Sequence, residues 1–226
     1  MGELVEFRSN GGNASGYLAT PVGGGGSPLI VIQEWWGLVP HIKDVCDRFA
    51  AEGFAALAPD LYHGTTTTEP DEAGKLMMAL NLQQAAKDMS GAVSFLQDLT
   101  GKLHVGVTGF CMGGGLALVL ATQRPDSVAA VVPWYGLPAW PDMQPDWSAL
   151  SASVLGHYAE DDGFFGPALV AALQETLDGL GKDAELRVHA GVDHAFFNDT
   201  RPEVYDQAAS EACFAETVSF LKANVP

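Results

Sequence analysis

The sequence predicts an α/β chain, a doubly wound and mostly parallel sheet flanked by helices. Three observations predict it. Residues 29–32 and 54–58 are unbroken apolar runs, the mark of strands buried on both faces. Helical patterns with an apolar stripe lie between such runs. The residues able to do chemistry fall just after strands, where ligands of open α/β sheets sit. At 226 residues with 47% hydrophobic content, the chain is expected to form one domain over 1–226.

Taken in order, residues 4–8 and 16–19 read as two short strands joined through Ser9-Asn10-Gly11-Gly12-Asn13, a turn-rich connection. Residues 20–28 hold the consecutive glycines Gly23 to Gly26, which lack the Gly-Lys-Ser/Thr ending of a phosphate loop and read as a flexible surface turn. After the strand at 29–32, residues 41–52 are helical, with Ile42, Val45, Cys46 and Phe49 on one face, and Gly53 stops the helix. The strand at 54–58 follows. Residues 72–80 and 82–99 form two helical patterns, or one broken helix. A strand from Val105 and a small-residue helix come next, then a strand at 128–134 and an irregular loop over 135–150 with Trp140 and Trp147. The rest reads as a strand at 154–158, a helix at 166–180, a strand at 184–189, a loop at 191–198 and a closing helix at 202–223.

Between the central strand and its helix stands Gly109-Phe110-Cys111-Met112-Gly113. Glycines flank Cys111 where a Cβ would collide with the neighbouring strand and helix, so the pattern reads as a strained turn that presents a thiol. The head of the following helix, with its free N–H groups and positive dipole end, favours a thiolate there. A buried core cysteine is the plainer alternative. A dinucleotide turn would need glycine at Cys111.

The net charge of −17 excludes binding to nucleic acid or to an anionic membrane surface, which needs clustered Lys and Arg. No apolar run approaches a membrane span, and Met1-Gly2-Glu3-Leu4 has no signal-peptide character, so a cytoplasmic protein is expected. Three cysteines at irregular spacing indicate neither a disulfide framework nor a zinc site, and Cys46 and Cys213 are expected in the core. A metal reading of His189, Asp193 and His194 is weak, because His189 ends a strand and points elsewhere.

The order nucleophile, acid, histidine is that of α/β-hydrolases. Gly109-Phe110-Cys111-Met112-Gly113-Gly114, with Gln33-Glu34-Trp35-Trp36-Gly37 before it and Asp193-His194-Ala195-Phe196 after it, resembles the dienelactone hydrolase family over nearly the whole chain. The resemblance implies an α/β-hydrolase fold with Cys111 as nucleophile, His194 as general base and then acid, and an Asp after the seventh strand as its partner. Asp162 is preferred to Asp161 for that place, since the glycine of the family's Gly-x-x-Asp falls on Ala159. Glu34 resembles the family's extra carboxylate beside the thiol, implying a resting pair of neutral Cys111 and ionised Glu34. The oxyanion donors expected are the backbone N–H groups of Trp35 and Met112.

The implied reaction is hydrolysis of a small carboxylic ester or lactone through an acyl-enzyme, with no cofactor and no metal. Members acting on dienelactone hold the substrate carboxylate with arginines, one of them four residues after the histidine, where this chain has Asn198. No arginine is found over 69–81 for the other. Trp36, Tyr135, Trp140, Phe164, Phe196 and Asn198 are the expected substrate-binding residues, suited to an apolar acyl or alcohol group. The chain is expected to act as a monomer or small homo-oligomer. A non-catalytic binding protein that kept the same shell is the competing reading. Amidotransferase-like cysteine proteins put histidine directly after the cysteine, where Met112 stands.

Overall fold

The computed structural model describes residues 2–9 and 12–225. Eight strands form one sheet in the order β1-β2-β4-β3-β5-β6-β7-β8, from β1 (Glu3–Ser9), β2 (Gly12–Ala19), β3 (Ser27–Ile32) and β4 (Phe54–Pro59) to β5 (Val105–Phe110), β6 (Val128–Trp134), β7 (Ser153–Ala159) and β8 (Ala184–His189). β1 and β2 pair antiparallel, as do β2 and β4, and every later pairing is parallel. Six helices connect and cover the strands: α1 (Pro40–Ala51), α2 (Pro70–Met78), α3 (Leu82–Thr100), α4 (Met112–Gln123), α5 (Pro167–Gly179) and α6 (Gln207–Asn224).

The unbroken apolar runs are explained by two cores, one on each face of the sheet. In β3, Ile30 and Ile32 face the core shared with α3 and α4, whereas Leu29 and Val31 face the core shared with α1 and α6. Strand alternation sends successive residues to opposite faces, so both sets must be apolar. β5 lies in the middle of the sheet with six consecutive buried residues.

The starts of β2 and of the closing helix differ from the sequence reading, and of its two readings of residues 72–99 the two-helix one holds. β2 begins at Gly12, because Ser9 pairs with Gly12 and the antiparallel ladder runs the full length of the hairpin; the Asn10-Gly11 part of the expected connection lies outside the described residues. α2 and α3 are separate helices, since the Asn81 side chain accepts from the Gln84 N–H at 3.1 Å and starts α3 afresh. The closing helix starts at Gln207. Asp206 caps it by accepting from the Ala209 N–H at 2.8 Å, while the stretch before it turns back so that the Asp206 N–H meets the Phe196 carbonyl at 3.0 Å. No helix among the described residues is long and apolar enough to cross a membrane.

Helix α4 lies against the sheet through small residues. A Cβ on Gly109 would stand 2.1 Å from the Gly113 carbonyl oxygen, and one on Gly113 would stand 2.4 Å from that of Ile32. Both obstacles are backbone and cannot rotate away. Gly109→Ala should therefore cost at least about 1–3 kcal/mol in denaturant unfolding, the range for overpacking. Gly74→Ala, in α2 with nothing within 4 Å of its Cβ, should instead stabilise by about 0.5–1 kcal/mol.

Candidate active site

β5 runs directly into Cys111, whose backbone is held at φ 53° and ψ −119° as α4 begins. Such a conformation costs a residue with a Cβ on the order of 1–3 kcal/mol and persists only where the surroundings impose it. Here the Cys111 N–H donates to the Trp134 carbonyl at 3.0 Å and the Cys111 carbonyl accepts from the Gly114 N–H at 2.9 Å. Gly136 lies so close that a Cβ on it would overlap the Cys111 carbonyl oxygen. Among the described residues, the non-glycine residues with positive φ are His63, Cys111, Tyr135 and Ala195. Each follows a strand at the same end of the sheet.

Two further post-strand loops complete a line of hydrogen bonds. His194, on the loop between β8 and α6, sets Nε2 3.1 Å from Cys111 Sγ and Nδ1 2.7 Å from Asp162 Oδ2. Asp162 follows β7, and its Oδ1 accepts from the N–H groups of Phe164 and Phe165 at 2.7 and 2.9 Å. Tyr135 and Phe164 meet the imidazole edge-on, with ring centroids 5.2 and 5.1 Å away. The acid of this line is Asp162, while Asp161 is exposed and donates its N–H to Val192.

The charges follow from this packing. Burial alone would push the His194 imidazole toward neutrality, but its hydrogen bonds to Asp162 and Cys111, and the negative charges there, raise it to about 10. Burial alone would raise Asp162, yet the bond and charge of His194 and the two N–H groups hold it below the usual carboxylate range. His194 charged in the folded state therefore adds stability that is full below its ordinary 6.5 and is lost as pH rises through about 10. The Asp162 contribution has the opposite sign, present above the ordinary 3.8 and lost as pH falls.

Glu34 follows β3 and is 1% exposed. Its carboxylate accepts from Asn198 Nδ2 at 2.7 Å and from the Tyr135 hydroxyl at 3.4 Å. The thiol thus bonds to His194, and the Glu34 carboxylate bonds to a neutral amide and a phenol. A cavity of about 220 Å³ opens over Cys111 and His194. Trp35, Trp36, Met112, Trp140 and Phe164 give it an apolar wall, and Glu34 and Arg201 add polar groups.

With this geometry in hand, comparison with known proteins is direct. The model of the dienelactone hydrolase family matches residues 14–225. The chain belongs to the dienelactone hydrolase family. Its relatives include the protein named usf of Aquifex pyrophilus, 40% identical over 98% of each chain. Another, from Aquifex aeolicus, is 36% identical over 98% of each chain and carries the provisional name carboxymethylenebutenolidase. A Klebsiella pneumoniae crystal structure provisionally described as a dienelactone hydrolase superposes with a TM-score of 0.87 at 28% identity, covering 98% of this chain and 99% of that one. The protein is accordingly a hydrolase with the α/β-hydrolase fold.

As a dienelactone hydrolase family member, it departs from the sequence expectation at several pocket positions. Trp36, Trp140 and Phe164 line the cavity as expected. Tyr135 and Phe196 do not: both are fully buried behind His194, packed against Trp134 and each other. Asn198, at 2% exposure, holds Glu34 instead of facing the cavity, and reaches only the groove beyond Trp36. The cationic residue that sequence reasoning missed is Arg201, further along the same loop. It lines the cavity with its guanidinium 5.9 Å from the Trp36 ring centroid, and its Nε donates to Glu203 at 2.9 Å. A search at one fixed spacing from the histidine passes over it; only the turn of the loop after Asn198 brings it back.

The causes of the His194 shift can be separated by titration. In NMR titrations both Asp162→Asn and Cys111→Ala should lower the His194 midpoint from about 10, because each removes a bond and a charge that raise it. The tryptophans around the cavity should not shift in either variant.

Proposed function

We propose that this protein hydrolyses a small carboxylic ester or lactone through an acyl-enzyme on Cys111. The observation that carries the reading is the unbroken line from Cys111 Sγ through the His194 ring to Asp162, at 3.1 and 2.7 Å. A charged His194 beside the sulfur favours the thiolate, the attacking form. The thiolate attacks the carbonyl carbon, and the carbonyl electrons move onto oxygen. Collapse of that intermediate expels the alkoxide, which takes the proton from His194 Nε2. Neutral His194 then removes a proton from water, hydroxide adds to the thioester, and collapse releases the acid and the Cys111 thiolate with the proton left on His194, restoring the starting pair. Asp162 stays a carboxylate throughout and fixes the ring orientation.

The developing oxyanion requires donors that do not move. Met112 is the first residue of α4, so its N–H has no intrahelical partner. Trp35 supplies the second N–H, and both residues line the cavity. Losing one such donor costs about 10² to 10³ in turnover. Glu34, tied to Asn198 and Tyr135, lines the same cavity as Cys111. The free thiols Cys46, Cys111 and Cys213 suit a reducing, cytoplasmic setting.

The cavity wall of Trp35, Trp36, Trp140 and Phe164 suits an apolar acyl or alcohol group. Arg201 favours one refinement, a substrate that also bears a carboxylate, because a guanidinium pairs with carboxylates in fork geometry.

Two experiments test these statements. Cys111→Ala should lower turnover of 4-nitrophenyl acetate by on the order of 10⁴ or more while leaving the fold intact. Stoichiometric acylation of Cys111 without release of acid would instead mark a binding protein. Arg201→Gln should raise KM for an ester with a free carboxylate at least about tenfold, roughly the worth of one charged hydrogen bond, and leave a neutral ester of the same size unchanged. An equal change for both esters removes the carboxylate refinement and leaves the hydrolase reading standing.

A further inference from the structure

Away from the cavity, three strong metal-ligating side chains converge between the sheet and α6. His157 lies within β7, His189 ends the edge strand β8, and Cys213 lies on α6. His157 Nδ1 is 3.1 Å from His189 Nε2, which is 3.3 Å from Cys213 Sγ, and one ligating atom from each residue falls within 4.8 Å of the others. His157 is fully buried and Cys213 is 2% exposed, whereas His189 is half-buried on the edge strand and gives an ion a route from solvent.

We infer that His157, His189 and Cys213 form a binding site for one Zn²⁺-type ion, separate from the Cys111 centre. Tetrahedral Zn²⁺ with bonds of about 2.0–2.1 Å to nitrogen and 2.3 Å to sulfur sets neighbouring ligand atoms about 3.3–3.6 Å apart. The His157–His189 and His189–Cys213 spacings of 3.1 and 3.3 Å are within a few tenths of an ångström of that. Two imidazoles and a thiolate are the donor set that zinc prefers over oxygen-seeking ions. The fourth position is left for water.

The neighbours support this use. His157 Nε2 lies 3.1 Å from the hydroxyl of Thr217, one turn from Cys213 on the same face of α6. When Nε2–H donates to that hydroxyl, the lone pair of Nδ1 points toward the ion, as outer partners of metal-bound histidines generally arrange. The Cys213 thiol binds as the thiolate, releasing its proton to solvent as the metal–sulfur bond forms. Arg187 is the nearby cation, but it is paired with both Glu185 and Glu216, which leaves an excess of negative charge beside the site.

A bound ion would tie β7 and β8 to α6, and the loops that leave β7 and β8 carry Asp162 and His194. The site thus fastens the acid and base side of the molecule. Cobalt is the probe, because thiolate-bound Co²⁺ has a near-ultraviolet charge-transfer band. The Cys111→Ala protein is used, to remove the more accessible thiol, which lies beside His194. Titration should give one Co²⁺ per chain with that band, and both Cys213→Ser and His189→Asn in the same background should abolish it. Zn²⁺ should raise Tm of the Cys111→Ala protein by several degrees through linkage, and not that of the His189→Asn variant. No band with excess Co²⁺, a band that survives both substitutions, or an equal Zn²⁺ effect on Tm in both proteins overturns the inference and leaves a metal-free hydrogen-bonded chain. Should Cys213→Ser fail to fold, the half-buried His189→Asn comparison still decides it.

Discussion

The close contact between the start of α4 and the carboxyl ends of β3 and β5 governs the rest of the molecule. Backbone meets backbone there, with no room for a Cβ at Gly109 or Gly113. That contact forces the chain into a φ of 53° at Cys111, and the twist turns the side chain away from both cores toward the loops. It also places the sulfur ahead of the free N–H groups of a helix N-terminus, where the dipole favours negative charge. The strain is local, and the two cores on either side of the sheet hold it in place. A sheet packed on one face only would leave α4 free to slide and relax that turn.

The second determinant is electrostatic. His194 sits in a setting that by desolvation alone would keep it neutral, and two acceptors at hydrogen-bond distance reverse the outcome. The reversal needs both at once: Asp162 fixes one nitrogen while being fixed itself by the N–H groups of Phe164 and Phe165. Aromatic rings at Tyr135 and Phe164 exclude water from the imidazole faces and so strengthen each of these bonds. Burial and charge, opposed for an isolated histidine, act together here.

Much of this was legible in the sequence because parallel strands buried on both faces have no choice but to be continuously apolar. That fixed where each strand ends, and hence that Glu34, Cys111, Asp162 and His194 share one end of the sheet. The glycines around Cys111 marked the close approach, and chain order marked the partners. What could not be read was which way a loop residue faces. Tyr135 and Phe196 stand in the right loops but turn inward, because Trp134 and Phe110 offer them an aromatic core. The start of α6 was equally hidden: residues 202–206 carry a helical apolar spacing, yet the hydrogen bond from the Asp206 N–H to Phe196 pulls them back toward the site. That same turn delivers Arg201 to the cavity, so one misjudged boundary and one missed residue share a cause.

The pairing of Glu34 with Asn198 bears on how the site divides its charges. A carboxylate at 1% exposure must be hydrogen-bonded, and an arginine in place of Asn198 would satisfy it by neutralising it. A neutral amide satisfies the geometry and leaves the negative charge in place. The cation has instead moved along the loop to Arg201, at the cavity wall beside Trp36. Holding the carboxylate and offering positive charge to a ligand, which one arginine could combine, are thus assigned to two residues of a single loop. That loop also carries His194, so the ring facing the thiol and the cation at the cavity wall belong to one stretch of chain.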